Sequence, residues 1–106
     1  MIIYNVSIKT TLAIHEDWIE WLVNEHAPEM LATGLFQKYQ VCRLLDQEDD
    51  GSATFVVQYY CKDMESYQTY IDQYSEGMRA KGYEKFGNQF VGFRTLMEVI
   101  DTKDAR

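Results

Sequence analysis

The sequence predicts one α+β domain, a four-stranded antiparallel sheet with two helices on one face, and three observations predict it. Four separate runs alternate with period two or are dense in β-branched and aromatic residues. Two longer stretches repeat apolar residues at helical spacing, one between the first and second runs and one between the third and fourth. Asp50-Gly51 joins the middle two runs and is the strongest local hairpin signal in the chain. The order β-α-β-β-α-β within 106 residues is the split βαβ arrangement of ferredoxin-like folds, with an expected spatial strand order of 4-1-3-2.

Taken in order, Ile2–Lys9 alternates Ile2, Tyr4, Val6 and Ile8 against Ile3, Asn5, Ser7 and Lys9, which makes a strand with one more apolar face. His15–Gly34 reads as a long amphipathic helix. At roughly 100° per residue, Trp18, Ile19, Leu22, Val23, His26 and Met30 share one apolar sector. Glu16 and Asp17 suit the positive end of the helix dipole, and Gly34 is placed to cap the helix end in a left-handed conformation. Pro28 has no N–H to donate to the carbonyl of Asn24, so a kink or restart is expected there. Leu35–Asp46 is the second strand, Glu48–Gly51 the turn and Ala53–Cys61 the third strand. Asp63 is a good N-cap for a helix whose buried stripe is Tyr67, Tyr70, Ile71, Tyr74 and Met78. Past Ser75 a separate or looser helix is expected, weakened by Gly77 and Gly82 and stopped at Gly87-Asn88. Gln89–Ile100 is the fourth strand. Residues 1–100 thus form one domain, and 101–106 a polar tail.

Composition narrows the function classes. A net charge of −7, from 17 acidic and 10 basic residues, opposes a phosphate backbone, so nucleic acid and anionic membrane are not expected partners. No apolar run approaches the roughly 18 residues of a membrane span, and the first residues read as a strand rather than a signal peptide. A cytoplasmic location follows by default. The turn at Glu48–Gly51 sets Cys42 opposite about Val57 and Cys61 opposite about Lys38, too far out of register for a disulfide. Both cysteines are expected reduced and buried.

Two helices cover only one sheet face, yet both faces of the strands carry apolar residues. The other face is expected to hold Ile3, Tyr39, Val41, Val56, Tyr60, Phe90 and Leu96, mixed with Asn5, Ser7, Arg43, Gln58, Arg94 and Glu98. A patch of that kind is rarely left in water, and a two-fold homodimer burying sheet against sheet is the simplest remedy.

The segments MIIYNVSIK, IHEDWIEWLVNEHAPEMLATGLFQKY, VCRLL, FVVQYYCKDMESYQTYID and FGNQFVGFRTLMEV resemble a family of short bacterial proteins known as a domain of unknown function. The resemblance covers about residues 1–100. That family is related to the dimeric α/β-barrel group, which includes stress-responsive barrel proteins and the cofactor-free monooxygenases of antibiotic biosynthesis. Membership implies the homodimer. It implies no activity, because this fold hosts enzymes, haem binders and binding modules alike.

Among candidate residues, His26 stands out as an imidazole on the inner side of a helix beside a kink, suited to a base or ligand-orienting role. The bland alternative is a core histidine with a satisfied hydrogen bond. His15 lies about 16 Å away by helical rise, so the two cannot share a metal, and His26–Glu29 is half a metal motif without its other half. The second constellation is polar. Asn5, Tyr39, Arg43, Gln58, Tyr60 and Arg94 are expected to orient a small anionic or hydroxylated aromatic ligand, or else to form structural salt bridges, with Glu98 partnering an arginine. No Ser-His-Asp set, phosphate loop or Rossmann pattern is present, so no cofactor or metal is expected. Three functions remain open: a homodimeric small-ligand-binding module, a cofactor-independent monooxygenase or isomerase acting on a small aromatic substrate, and a dimeric scaffold without a ligand.

Overall fold

A computed structural model of the chain describes residues 1–45 and 50–105. Strands β1 (Ile2–Thr11), β2 (Lys38–Arg43), β3 (Ser52–Cys61) and β4 (Phe90–Glu98) form one antiparallel sheet in the order β2-β3-β1-β4. This is the expected topology. β1 runs through the middle, pairing Asn5 with Gln58 on one side and with Thr95 on the other. All helices lie on one face, so β3 alternates strictly between buried Phe55, Val57, Tyr59 and Cys61 and half-buried Thr54, Val56, Gln58 and Tyr60.

The first helical stretch accommodates Pro28 without ending. It runs as α1 (His15–Trp21), a π turn (Leu22–His26) and α2 (Ala27–Ala32). In the π turn the Ala27 N–H reaches back to the carbonyl of Leu22, five residues away rather than four. Pro28 then falls in the first turn of α2, where its fixed φ fits and its missing N–H costs least. The extra residue rotates the buried stripe, which becomes Trp18, Leu22, Ala27 and Met30. Val23, expected in that stripe, is 42% exposed. Gly34 takes φ 79° just past the helix end, as expected.

The second helical region also divides where the sequence suggested. Asp63 Oδ1 accepts from the Ser66 N–H at 2.9 Å and starts α3 (Met64–Gln73). The backbone leaves helical geometry at Tyr74, with φ −125°, and α4 (Ser75–Phe86) follows, ended by Gly87 at φ 62°. That break turns Tyr74 outward, so it leaves the buried stripe in which it was expected. Tyr70 and Met78 stay buried.

Two strands present opposite faces from those expected. β2 pairs Tyr39 with Tyr59, Val41 with Val57 and Arg43 with Phe55, so these three share the helix-covered face. Cys42 stands opposite Val56 instead of Val57, and one residue of register exchanges the faces of a whole strand. Cys42 is therefore exposed on the uncovered face, not buried as expected, while Cys61 is buried on the other. In β4, the pairs Ile8–Gly92, Val6–Arg94, Tyr4–Leu96 and Ile2–Glu98 place Phe90, Gly92, Arg94, Leu96 and Glu98 on the covered side. A Cβ on Gly92 would lie 2.8 Å from Ile8 Cδ1, so the covered side is crowded at that row. Paired with Ile2, Glu98 forms no ion pair among the described residues. The expected Glu48–Gly51 turn falls partly on residues 46–49, outside the described residues. Of its residues, Gly51 is described and has φ 78°.

Candidate functional site

The covered face is unusually rich in rings, and Tyr4 is at their centre. β1 alternation turns its side chain toward the helices, where it is 2% exposed. The rings of Phe36, Tyr59, Tyr67 and Tyr70 surround it with centroids 5.5–6.2 Å away. A phenol buried this deeply needs a partner for its oxygen, and two arginines supply it. Arg94 Nε donates to Tyr4 Oη at 3.1 Å from β4, and Arg79 Nη2 donates at 3.4 Å from α4. Both contacts use the Tyr4 hydroxyl oxygen as the acceptor. The Tyr4 hydrogen bond holds the Arg79 guanidinium above its ordinary pKa. Among the described residues, neither arginine meets a carboxylate.

Behind this cluster a cavity of about 60 Å³ lies between sheet and helices. Strands contribute Tyr4, Val6, Ile8, Val57, Tyr59, Phe90 and Arg94 to its walls, and the helices add Trp18, Trp21, Leu22, His26, Met30, Tyr70, Met78, Arg79, Gly82 and Tyr83. Its exposed lining residues, Arg79, Tyr83 and Arg94, mark the side where it opens. Gly82 keeps α4 close to the wall, since a Cβ there would sit 3.3 Å from Phe90 Cζ and 3.6 Å from Trp21 Cη2. A typical ligand pocket is roughly 300–1,000 Å³, whereas this space holds a few waters. A larger guest enters only if a wall moves. Tyr83, 52% exposed and stacked on Phe90 at 5.1 Å, is an aromatic wall with solvent on its outer side.

His26 reaches the same cavity from the π turn. Its ring stacks on Trp21, with centroids 4.7 Å apart and planes 21° from parallel. Burial lowers its pKa to about 4; Glu29 opposes that shift, while the Lys81 and Arg94 charges add to it. The imidazole is therefore neutral at pH 7. Its Nδ1 is buried and has no hydrogen-bond partner among the described residues, a state that ordinarily costs about 1–3 kcal/mol. Outside it, Lys81 of α4 pairs with Glu29 of α2 and ties the two helices across the His26 position. π turns often occur at functional sites, and this one sets the imidazole beside the cavity. Burial also raises the phenol pKa values of Tyr59 and Tyr70, so both stay neutral.

Of the residues singled out in the sequence, the structure brings His26 and Arg94 to this one cavity. Asn5, Gln58 and Tyr60 lie on the uncovered face, as expected. There Gln40 Nε2 donates to Gln58 Oε1 at 2.7 Å, Gln58 Nε2 to Asn5 Oδ1 at 3.2 Å, and Asn5 Nδ2 to Ser7 Oγ at 3.5 Å. Tyr39 and Arg43 are on the covered side but away from the cavity, with the Arg43 guanidinium 5.4 Å from the Phe55 ring centre. Sequence reasoning missed Tyr4, Arg79 and Gly82. One signal was available, because Met78 and Gly82 are four apart and thus share a helix face. A glycine on that inner face marks a close approach.

The fold defines a ferredoxin-like α+β protein with an aromatic cavity between its layers. The chain belongs to a family described as a domain of unknown function, DUF4286, whose sequence model matches residues 1–100. A search of curated proteins gave no match. Among solved structures, it is similar to a dimeric ferredoxin-like protein from an uncultured marine organism, with 12% identity and a TM-score of 0.72 over 96% of this chain and 98% of that one. It is also similar to an inferred antibiotic biosynthesis monooxygenase from Deinococcus radiodurans, with 14% identity and a TM-score of 0.71 over 100% and 99% of the two chains. A third likeness is to SnoaB, a cofactor-independent oxygenase from Streptomyces nogalater, with 14% identity and a TM-score of 0.62 over 95% of each chain. At such identities these likenesses establish the fold alone. Among the described residues, no helix is long and apolar enough to cross a membrane.

Proposed function

We propose that this protein is a homodimeric module that binds a small, mostly apolar ligand in the covered-face cavity. The observation that carries this reading is the convergence of Arg79 and Arg94 on Tyr4 at the opening of an aromatic-lined space, where neither meets a carboxylate among the described residues. The dimer is supported by the uncovered sheet face, where Val91 is 47% and Phe93 66% exposed beside half-buried Ile3, Val56 and Met97. A second copy laid sheet to sheet covers that patch and meets the Gln40–Gln58–Asn5 row with its own. The marine protein of similar fold is described as dimeric, which agrees with this reading.

Thermal-shift screening against small aromatic acids, phenols and quinols tests the ligand. A true ligand at 100 times its dissociation constant adds about 2.7 kcal/mol, enough to raise the midpoint by several degrees. Silence across all three classes would favour a scaffold whose interior is simply packed. Light scattering tests the dimer, and a monomer at micromolar concentration would contradict it.

A second reading, proton abstraction from a small aromatic substrate by His26, is favoured by the unpartnered Nδ1. Its weakness is energetic. A base whose conjugate acid has a pKa of about 4 lies some 6 units below a phenol, an uphill transfer of about 8 kcal/mol. Binding is therefore the better-supported role. Turnover surviving in His26→Ala would remove His26 from any enzymatic account.

A further inference from the structure

The geometry points to a particular ligand chemistry for this pocket: a small aromatic carboxylic acid that also carries a hydroxyl group. The inference rests on the pocket reading above and adds to it what the ligand is.

The acid is argued from the arginines. A phenol oxygen is a weaker partner for two guanidinium groups than a carboxylate, because it brings no full negative charge. Arg94 at 3.1 Å and Arg79 at 3.4 Å share it. A carboxylate offers two oxygens and a full charge. It takes one arginine on each oxygen and leaves Tyr4 to turn its hydroxyl proton toward the anion as a third donor. One negative charge suits the site better than several, because the chain as a whole carries −7 and repels polyanions.

The ring and the hydroxyl follow from the rest of the lining. Trp21, Phe90 and Tyr83 line the space with aromatic rings, and Gly82 removes the side chain that would close it. His26 lines the same space against Trp21, and its buried Nδ1 has no partner among the described residues. A neutral imidazole carrying its proton on Nε2 leaves Nδ1 as an acceptor, and a hydroxyl group on the ring supplies the missing donor. The modest cavity limits the guest to a single ring, admitted as Tyr83 swings aside.

Calorimetric titration of the whole protein at low ionic strength with 3- and 4-hydroxybenzoate, benzoate and nitrobenzene tests this directly. Nitrobenzene has the shape of benzoate without its charge. Benzoate is expected to bind about tenfold or more tighter than nitrobenzene, on the scale of a charged hydrogen bond. That preference is expected to vanish in the Arg79→Gln, Arg94→Gln double variant, whose two sites are exposed and tolerate glutamine. At least one hydroxybenzoate is expected to gain about threefold or more over benzoate, on the scale of a neutral hydrogen bond, and to lose that gain in His26→Phe. Equal binding of nitrobenzene and benzoate would overturn the acid while leaving the pocket intact. A preference for benzoate that survives in the double arginine variant would put the anion elsewhere and overturn the assignment. Binding by none of the four compounds would remove the pocket reading, and this inference with it.

Discussion

The two faces of the sheet are built from the same four strands and solve opposite problems. The covered face buries rings against helices and then interrupts that packing with Tyr4, Arg79, Arg94 and His26, whose polar groups are not fully matched among the described residues. The uncovered face carries a matched row of amides, Gln40 to Gln58 to Asn5, flanked by apolar side chains in water. Unmatched polarity along a cavity suits a small guest that brings the missing partners. Matched polarity within an apolar patch suits a flat protein partner. Position relative to the helices, more than composition, separates the two roles.

Substitutions can sharpen or break this contrast. The largest effect is expected from Phe55→Ala on the covered face. Phe55 is 1% exposed and stacks on Trp18 at 5.5 Å, and its loss should cost about 3–5 kcal/mol in urea unfolding. A cost under about 1 kcal/mol would mean that the covered face is not the core. On the other side, Phe93→Lys should leave the protomer fold intact and weaken self-association by about 2–4 kcal/mol, the scale of an interface hot spot. Sedimentation equilibrium reads this, and an unchanged dimer would remove Phe93 from the interface.

The pH dependence comes next. His26 titrates near 4 in the folded protein, below its ordinary 6.5. Between those values the unfolded chain holds more protons, so stability rises with pH. The stabilisation from burying neutral His26 is complete above about pH 6.5 and is lost as pH falls toward 4, by at most about 3 kcal/mol. The Lys9 and Ser52 hydrogen bonds lower the Asp50 pKa to about 2, which places its loss of stability below His26's window, under about pH 4. His26→Phe, which keeps the stack on Trp21, should flatten the limb between pH 6.5 and 4 only. A wild-type curve already flat there would contradict the burial of the imidazole. The smallest effect is expected from Gly82→Ala. The helix gains about 1 kcal/mol and loses a similar amount to the contact with Phe90, so stability should move by less than about 1 kcal/mol while ligand affinity falls.

Topology was legible in the sequence because it depends on element order and on turn and cap signals such as Asp63, Gly34 and Gly87, all local. Site residues were legible only in part. His26 was visible as a polar residue on an apolar helix stripe, but Pro28's accommodation by a π turn was not, and that turn decides why Ala27 rather than Val23 is buried. In β4 the period of two was clear and its phase was not. Val91, Phe93 and Met97 form the more apolar set and read as core, yet they face away from the helices. The covered set holds Gly92 and Arg94, polar or absent side chains whose reason for being inside lies in Ile8, Tyr4 and Arg79, far away in sequence. Phase is a tertiary property when both faces of a strand are apolar.

A single titration sees both faces at once. The indole N–H of Trp21 and the ring of His26 report the covered cavity, and the side-chain amides of Asn5, Gln40 and Gln58 report the uncovered sheet. Followed by NMR during addition of 4-hydroxybenzoate, the Trp21 and His26 signals are expected to shift in a saturable way while the three amides stay in place. Shifts confined to the amides, with Trp21 and His26 unmoved, would put the ligand on the wrong side of the sheet and contradict the assignment of the two faces.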